Sequence, residues 1–493
     1  MKFNRLLIFL KQRRFRTTSN SRERSTIFAL SSGHGRCGVA VIRVSGPASS
    51  TTLSCLTGGR PLPTARAATL RPLLEPGSGE RLDSALVLWL PGPHTFTGED
   101  CCELHVHGGL AVVSGVLGAL GCLAGLQPAQ AGEFTKRAFQ NGRLDLTEAE
   151  ALGDLIHAET EAQRRQALRQ MAGDLGRLYR GWSGRLTRCL AHAEADIDFG
   201  EDDNIEEGLL GRVDTEVRDL QAELGRHLCD SRRGERLRGG VRVAIVGPTN
   251  AGKSSLLNAM CQRPAAIVSP VAGTTRDVVE AALNVGGYPV LLSDTAGLRE
   301  TADTVEREGV RRARERLEQA DIVVVVVDAA ELPPDVVPFL QRYLSEVSSS
   351  PESQQRRADA DWLVVCNKTD LVPPRDWDRL CLAAEQRGLP RVCPLSCKTG
   401  SGFDGFLQLL GERVEKMCGD PLAGSPSLTQ ARHRLHLQSC AHALAQYHRH
   451  RQLDLVLAAE QLRLALRQLG KITGKIGAEE ILDVIFRDFC IGK

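Results

Sequence analysis

Aromatic residues are scarce in these 493 residues, at 4% of the chain, which argues against a surface that grips single-stranded bases by stacking. Charge excess is missing too. With 62 Lys and Arg against 60 Asp and Glu, the net charge is +2, so any nucleic-acid partner must be held by a local patch rather than by a global basic field. The 15 cysteines form no Cys-x-x-Cys pair, and a chain this long builds its cores without staples, so we expect a reducing compartment and neither a disulfide frame nor a zinc site. Long apolar runs are also lacking in the leader, where Leu6 to Leu10, at five residues, is too short for a membrane span or a secretory core. Around it, residues 1–25 hold eight Lys or Arg and one acid, Glu23, the pattern of a transit peptide directing the chain to the mitochondrial matrix.

Against these absences stands one stretch around which the chain is organised. The apolar run Val241–Val246 ends in Gly247-Pro248-Thr249-Asn250-Ala251-Gly252-Lys253-Ser254 and continues as Ser255-Leu256-Leu257-Asn258. A strand that breaks into Gly-x-x-x-x-Gly-Lys-Ser and reopens as a helix is a phosphate cradle, because successive backbone N–H groups converge on anionic oxygens. Residues Asn250 to Ser255 would line that cradle. Lys253 would neutralise the β- and γ-phosphates, and the Ser254 hydroxyl would hold Mg²⁺.

Three further segments follow in the order a nucleotide switch requires. The strand Val290 to Ser293 runs into Asp294-Thr295-Ala296-Gly297, where the Asp can reach the Mg²⁺ shell and the Gly amide can sense the γ-phosphate. The run Trp362 to Cys366 leads into Asn367-Lys368-Thr369-Asp370, and the Asp370 carboxylate can accept from guanine N1–H and the 2-amino group. Adenine lacks that donor pair and would leave the charge unpaired, so the site should select GTP. After Val392 to Leu395, Ser396-Cys397-Lys398 would close over the guanine O6.

The rest divides by texture. Residues 26–145 mix strand-like runs (Gly38 to Arg43, Ala85 to Leu90, Cys102 to Val106) with a helical stretch (Ala111 to Leu123), an α+β module. Residues 146–239 turn to long helical periodicity, residues 240–416 form the α/β P-loop GTPase domain, and helical texture returns over 417–493. The expected architecture is therefore multidomain, with the GTPase domain inserted into an all-α domain and its ends close together.

Two departures mark the switch. Many regulatory GTPases follow Asp-x-x-Gly with a Gln that orients water; here Leu298 cannot, which leaves Glu300 and Glu306 as candidates, Glu306 preferred, with Arg299 a possible charge stabiliser. Asn250 inside the cradle either braces the loop or helps hold a monovalent cation against the carbonyls of Ser269 to Asp277, where K⁺ would supply the charge an arginine finger supplies elsewhere. Thr275 would bind Mg²⁺ in the closed state.

The cradle with Asn250, Gly273-Thr274-Thr275-Arg276-Asp277, Asp294 to Glu300 and the terminal Phe489-Cys490-Ile491-Gly492-Lys493 resemble the MnmE (TrmE) tRNA-modification GTPases. So do Gly35 to Gly38, Ile42 to Gly46, Phe96 to Asp100, His107-Gly108-Gly109 and Ala131 to Phe139; the likeness runs from about residue 26 to 493, and with the leader it points to the mitochondrial branch. The resemblance implies modification of carbon 5 of the wobble uridine of tRNA, with a taurinomethyl group in mitochondria. It further implies an FAD-dependent partner of the MnmG type (MTO1), a one-carbon unit from 5-formyl- or 5,10-methylene-tetrahydrofolate, K⁺-activated hydrolysis and a homodimer made by the N-terminal domain. Carried over by position, the K⁺ ligands are Asn250, Ser269, Val271 and Thr274, and Glu306 aligns the water. Arg43, Glu103, Arg143 and Lys493 match the folate positions; Arg143 stands where many relatives have Lys, which keeps the charge but alters the fork. Glu103, His105 and His107 alternate on one strand face, which suits a ligand pocket better than a metal.

Cys490, near the end of the chain, is a candidate catalytic thiol, against the ordinary reading of a buried apolar cysteine. For tRNA the candidates are the stretches Arg232 to Arg238 and Arg432 to Arg451, which solvated helix faces explain equally well. Two other functions fit the GTPase loops, a ribosome-assembly GTPase and a signalling switch, but neither accounts for the first 145 residues.

Overall fold

The computed structural model describes residues 25–33, 35–199, 209–230, 232–262, 280–294, 319–348, 361–373, 376–424, 426–476, 485–486, 489 and 492. Nearly all of the expected leader lies outside these residues. The chain divides into two compact units, Met1–Ala149 with Gly477–Lys493, and Glu150–Ile476. The terminal segment Gly477–Lys493 thus groups by its contacts with the first unit. Its anchors are aromatic: Phe486 and Phe489 are buried, with ring centroids 5.8 Å apart, and such apolar burial outweighs helical continuity.

The first unit is a six-stranded sheet. Its strands are β1 (Thr26–Leu30), β2 (Cys37–Ser45), β3 (Thr69–Leu74), β4 (Arg81–Leu90), β5 (Cys101–Gly108) and β6 (Leu126–Pro128), ordered β3-β4-β5-β2-β1-β6. All neighbours are antiparallel except β1 and β6. Alternation decides the two faces. Phe28, Ile42, Val44, Val87, Leu104 and Val106 point to one side, where they bury against α1 (Ser49–Leu56) and α2 (Leu110–Gly121). The opposite side carries Ile27 and Ala29, packed with Phe134 of α3 (Glu133–Gln140), and also Arg43 and Glu103, which the register sets directly across from each other.

The second unit begins within α4 (Leu146–Ile156) and continues with α5 (Glu161–Met171), α6 (Asp174–Phe199), α7 (Leu209–Leu228) and α8 (Arg233–Gly239). A parallel sheet follows, interleaved with helices: β7 (Val241–Val246), α9 (Lys253–Cys261), β8 (Glu280–Val285), β9 (Tyr288–Asp294), β10 (Ile322–Asp328), α10 (Val336–Ser348), β11 (Asp361–Asn367), α11 (Trp377–Gln386), β12 (Arg391–Pro394) and α12 (Phe403–Cys418). Strand order is β12-β11-β10-β7-β9-β8, with only β8 antiparallel to its neighbour. A sheet covered on both faces needs strands apolar on both sides, and β10 meets this with every residue buried. Helices α9 and α12 cover one face, α10 and α11 the other.

Finally α13 (Ala431–His450) and α14 (Leu455–Thr473) pack on α6 and α7 around Tyr179, Trp182, Leu220, Leu444 and Leu462. The segments on either side of the α/β part are tied to each other. Leu428 donates its N–H to Asp230 Oδ2 at 3.3 Å, and Arg434 clamps Asp230 and Glu235 at 2.6 Å each.

Candidate functional site

The loops at the C-terminal ends of β7, β11 and β12 converge, as they must in an open parallel sheet where helices carry the chain back. Gly252 caps α9 at φ +97° without a side-chain cap, so the first N–H groups of the helix are left for a ligand. A Cβ at this glycine would lie 2.0 Å from Asn367 Nδ2, so no other residue fits. Asn250 takes the left-handed conformation at φ +63°, a cost that asparagine tolerates better than most residues. Lys253 folds over the loop and donates to the carbonyls of Gly247 and Pro248 at 2.9 and 2.7 Å, holding its ammonium above the cradle. Ser254 and Ser255 are exposed in the first helical turn, within the cradle that the sequence assigned to the phosphates.

Asn367 ties the phosphate and base loops together. It is 2% exposed; its Nδ2 donates to Ala251 O at 3.0 Å and its Oδ1 accepts from the Cys397 N–H at 3.1 Å. Ser396 Oγ accepts from the Thr399 N–H and donates to Asp370 Oδ1 at 2.6 Å, so one carboxylate oxygen is fixed while Asp370 stays open to a base. Burial pushes the Cys397 thiol up to about 11, which keeps it neutral and unreactive beside the base loop. Lys398 is exposed.

Sequence reasoning missed Asp328. It ends the apolar strand β10, is 8% exposed, and accepts from Lys368 Nζ at 2.6 Å and from the Ala330 N–H at 2.9 Å. The pair holds Lys368, itself at φ +64°, under the base loop. Its signal was an acid at the end of an apolar strand, the same signal that singled out Asp294. Asp294 ends β9 level with Ile245 of β7, but its side chain is outside the described set. Ser269, Val271, Thr274, Thr275, Thr295, Ala296, Gly297, Arg299, Glu300, Glu306, Cys490 and Lys493 also lie outside the described residues.

A second polar site stands on the first unit. Arg43 donates from Nε and Nη2 to Glu103 Oε1 at 3.1 and 3.0 Å, and His105 Nε2 lies 3.3 Å from Glu103 Oε2. The Arg43 guanidinium sits over the rings of Phe96 and Phe134, at 5.5 and 5.9 Å, two contacts that spacing could not disclose. His107 turns instead to Asp83, at 2.8 Å. Arg143 is exposed, packed by its stem near Gly98. The tail reaches the same unit: Ser31 Oγ donates to Gly492 O at 2.9 Å, and a Cβ on Gly492 would lie 2.2 Å from Leu30 O. Leu30 directly follows Ala29, the cross-strand partner of Arg43.

Two family models match this chain, one described as the MnmE helical domain over residues 146–490 and one as the N-terminus of the GTP-binding protein TrmE over residues 26–143. This chain belongs to the MnmE (TrmE) family of tRNA-modification GTPases. It is a mitochondrial GTPase. The 5-taurinomethyluridine-tRNA synthase subunit GTPB3, mitochondrial, of Danio rerio is 59% identical over 472 residues, covering 95% of this chain and 93% of the relative. The Homo sapiens protein of the same name is 58% identical over 471 residues with the same coverage, and the tRNA modification GTPase MnmE of Rhodospirillum rubrum is 49% identical over 486 residues, covering 95% and 99%.

For an MnmE-family chain the basic stretch Arg232 to Arg238 is mostly architectural. Arg236 pairs with Asp321 at 2.8 Å, Arg238 with Asp154 at 2.6 Å, and Arg232 reaches Glu235 at 3.8 Å. Arg432 and His433 likewise turn inward to Glu150, at 2.9 and 2.7 Å. Among the described residues no helix is long and apolar enough to cross a membrane.

Proposed function

We propose that this chain is the GTP-hydrolysing subunit of an enzyme that installs a 5-taurinomethyl-type group on the wobble uridine of mitochondrial tRNAs. The observation that carries the reading is the joining, in one family member, of a guanine-selective loop set with a cation-flanked carboxylate at Glu103 on the N-terminal sheet. Family membership favours it over a ribosome-assembly GTPase or a signalling switch.

Asp370, fixed by Ser396, reads the guanine edge, and Asn367 keeps the base loop in register with the cradle. Lys253 exchanges its carbonyl partners for phosphate oxygens, so its charge grows more useful as negative charge develops on the leaving group. Mg²⁺ on Ser254 and Thr275, with K⁺ on Asn250, Ser269, Val271 and Thr274, would supply the remaining counter-charge when bound. Glu306 aligns the attacking water in place of the missing Gln. On the first unit, Glu103 accepts from the pterin N–H and amino group of a tetrahydrofolate derivative, while Arg43, Arg143 and Lys493 meet its anionic parts. The packing of Phe486, Phe489 and Gly492 against that unit supports a role for Cys490 beside the one-carbon donor. The partners are an FAD-dependent MnmG-type protein, a second copy of this chain and tRNA.

The test is mass spectrometry of nucleosides from mitochondrial tRNA of cells lacking the protein, rescued with wild type or Asp294→Asn. Loss of the wobble-uridine modification, restored only by wild type, is expected. Persistence of the modification together with failed ribosomal-subunit assembly would overturn the reading.

A further inference from the structure

Helix α13 reads Ala-Arg-His-Arg-Leu-His-Leu-Gln-Ser-Cys-Ala-His-Ala-Leu-Ala-Gln-Tyr-His-Arg-His and contains no acid in 20 residues. A solvated helix face ordinarily mixes both signs, so an acid-free face of this length needs a reason. Its first turn does not supply one, because Arg432, His433 and Arg434 are bound to carboxylates inside the unit. What remains outward includes Gln438, Ser439, His442 and Arg449, all exposed, together with Leu435, 63% exposed one turn before Gln438. Helix α14 lies beside it antiparallel, pinned by Arg432 Nη1 to Lys471 O and by His436 Nδ1 to Gln468 Oε1, each at 2.9 Å. It adds exposed Arg467 and half-exposed Lys471, while its one acid, Glu460, is held by Arg463 at 3.0 Å. Among the described residues Arg449, Arg467 and Lys471 have no carboxylate partner.

Because Lys471 stands level with Arg432, the strip from Lys471 to Arg449 runs about 25 Å at the helical rise per residue. Cations mark its ends, and between them lie the neutral donors Gln438, Ser439 and His442, with exposed Leu435 at one side of the strip. Gln, Ser and His side chains in such a strip suit phosphate and 2′-hydroxyl oxygens. No aromatic is exposed on this face of α13, so it offers no base-stacking platform and suits the backbone of a folded, helical RNA. We propose that the α13–α14 face docks the sugar-phosphate backbone of the tRNA. This inference rests on tRNA being the substrate, and it specifies where the body of that substrate lies.

The experiment uses the full chain and an unmodified tRNA transcript, with affinity measured as a function of salt. Arg449→Gln/Arg467→Gln/Lys471→Gln should weaken binding on the order of 100-fold near 0.15 M salt and reduce the log–log salt slope by about 2–3, with GTP hydrolysis and helix content unchanged. Arg449→Lys/Arg467→Lys should bind as wild type, since a phosphate asks only for charge. Arg379→Gln/Arg387→Gln, on α11 and at its C-terminal cap and also exposed, should change nothing. Wild-type affinity and slope in the triple variant would overturn the assignment, as would intact RNA binding with lost association to the FAD-dependent partner, which would give the face to a protein. Failure of wild type to bind the transcript at all would overturn this inference together with the tRNA reading, whereas a normal wild type beside an unaffected triple variant overturns this inference alone.

Discussion

The nucleotide loops and the Arg43–Glu103 pair are built by opposite routes. In the second unit each loop is a contiguous stretch at a strand end, so Gly252, Asn367 and Ser396 carry their chemistry in spacing. In the first unit nothing contiguous marks the site: Arg43 and Glu103 are 60 residues apart and meet because β2 and β5 pair in one register. A parallel sheet gathers loops at one edge, whereas an antiparallel sheet gathers side chains on one face. The two sites should therefore fail independently.

The largest effect should come from Lys253→Ala, which removes the ammonium over the cradle; GTP hydrolysis is expected to fall roughly 10²–10³-fold. The same variant should leave Glu103 chemistry intact, read as unchanged binding of a reduced folate by calorimetry. Next, Asp370→Asn should weaken GTP on the order of 10²-fold by losing two charge-assisted hydrogen bonds, and should shift preference toward a xanthine nucleotide. Competition with labelled nucleotides decides this, and unchanged guanine selectivity would contradict the role of Asp370. The converse probe is Glu103→Gln. Hydrolysis should stay at the wild-type rate while folate affinity drops about tenfold or more, since one charged acceptor is lost. A parallel loss of hydrolysis would break the comparison.

The smallest effect lies in the helical scaffold that serves neither site. Burial holds His227 neutral, depressing its pKa from 6.5 to about 4. The unfolded chain binds that proton below about pH 6.5 and the folded chain does not, so stability declines as pH falls through this window toward pH 4. His227 should contribute about 1.4 kcal/mol per pH unit to that slope, and the slope should be shallower by this amount in His227→Gln, measured by hydrogen exchange of α6 and α7. Both sites should keep their ligands at neutral pH in that variant.

Legibility followed the same division. The strand-end segments of the GTPase part were readable because each motif is local, and β7, β9, β11 and β12 lie where their apolar runs predicted. Asp328 escaped because its meaning depends on Lys368, 40 residues away, coming within 2.6 Å. The basic stretch at Arg232 looked like a nucleic-acid patch in sequence, since nothing in spacing reveals that Asp321 and Asp154 consume its charges. The contacts of the terminal segment were hidden for a related reason: helical texture says nothing about which core Phe486 and Phe489 enter.

By itself, then, the sequence determined the strand-end loop motifs of the GTPase part and the family, because each is written in short-range order along the chain. Tertiary structure alone decided that Arg43 lies between Glu103 and two aromatic rings, that Ser31 holds the tail at Gly492, and that Arg432, His433 and Arg434 of α13 are taken up by carboxylates while Arg449 is not. Those outcomes depend on strand register and on competition for carboxylates among residues distant in sequence, and only the folded chain resolves that competition.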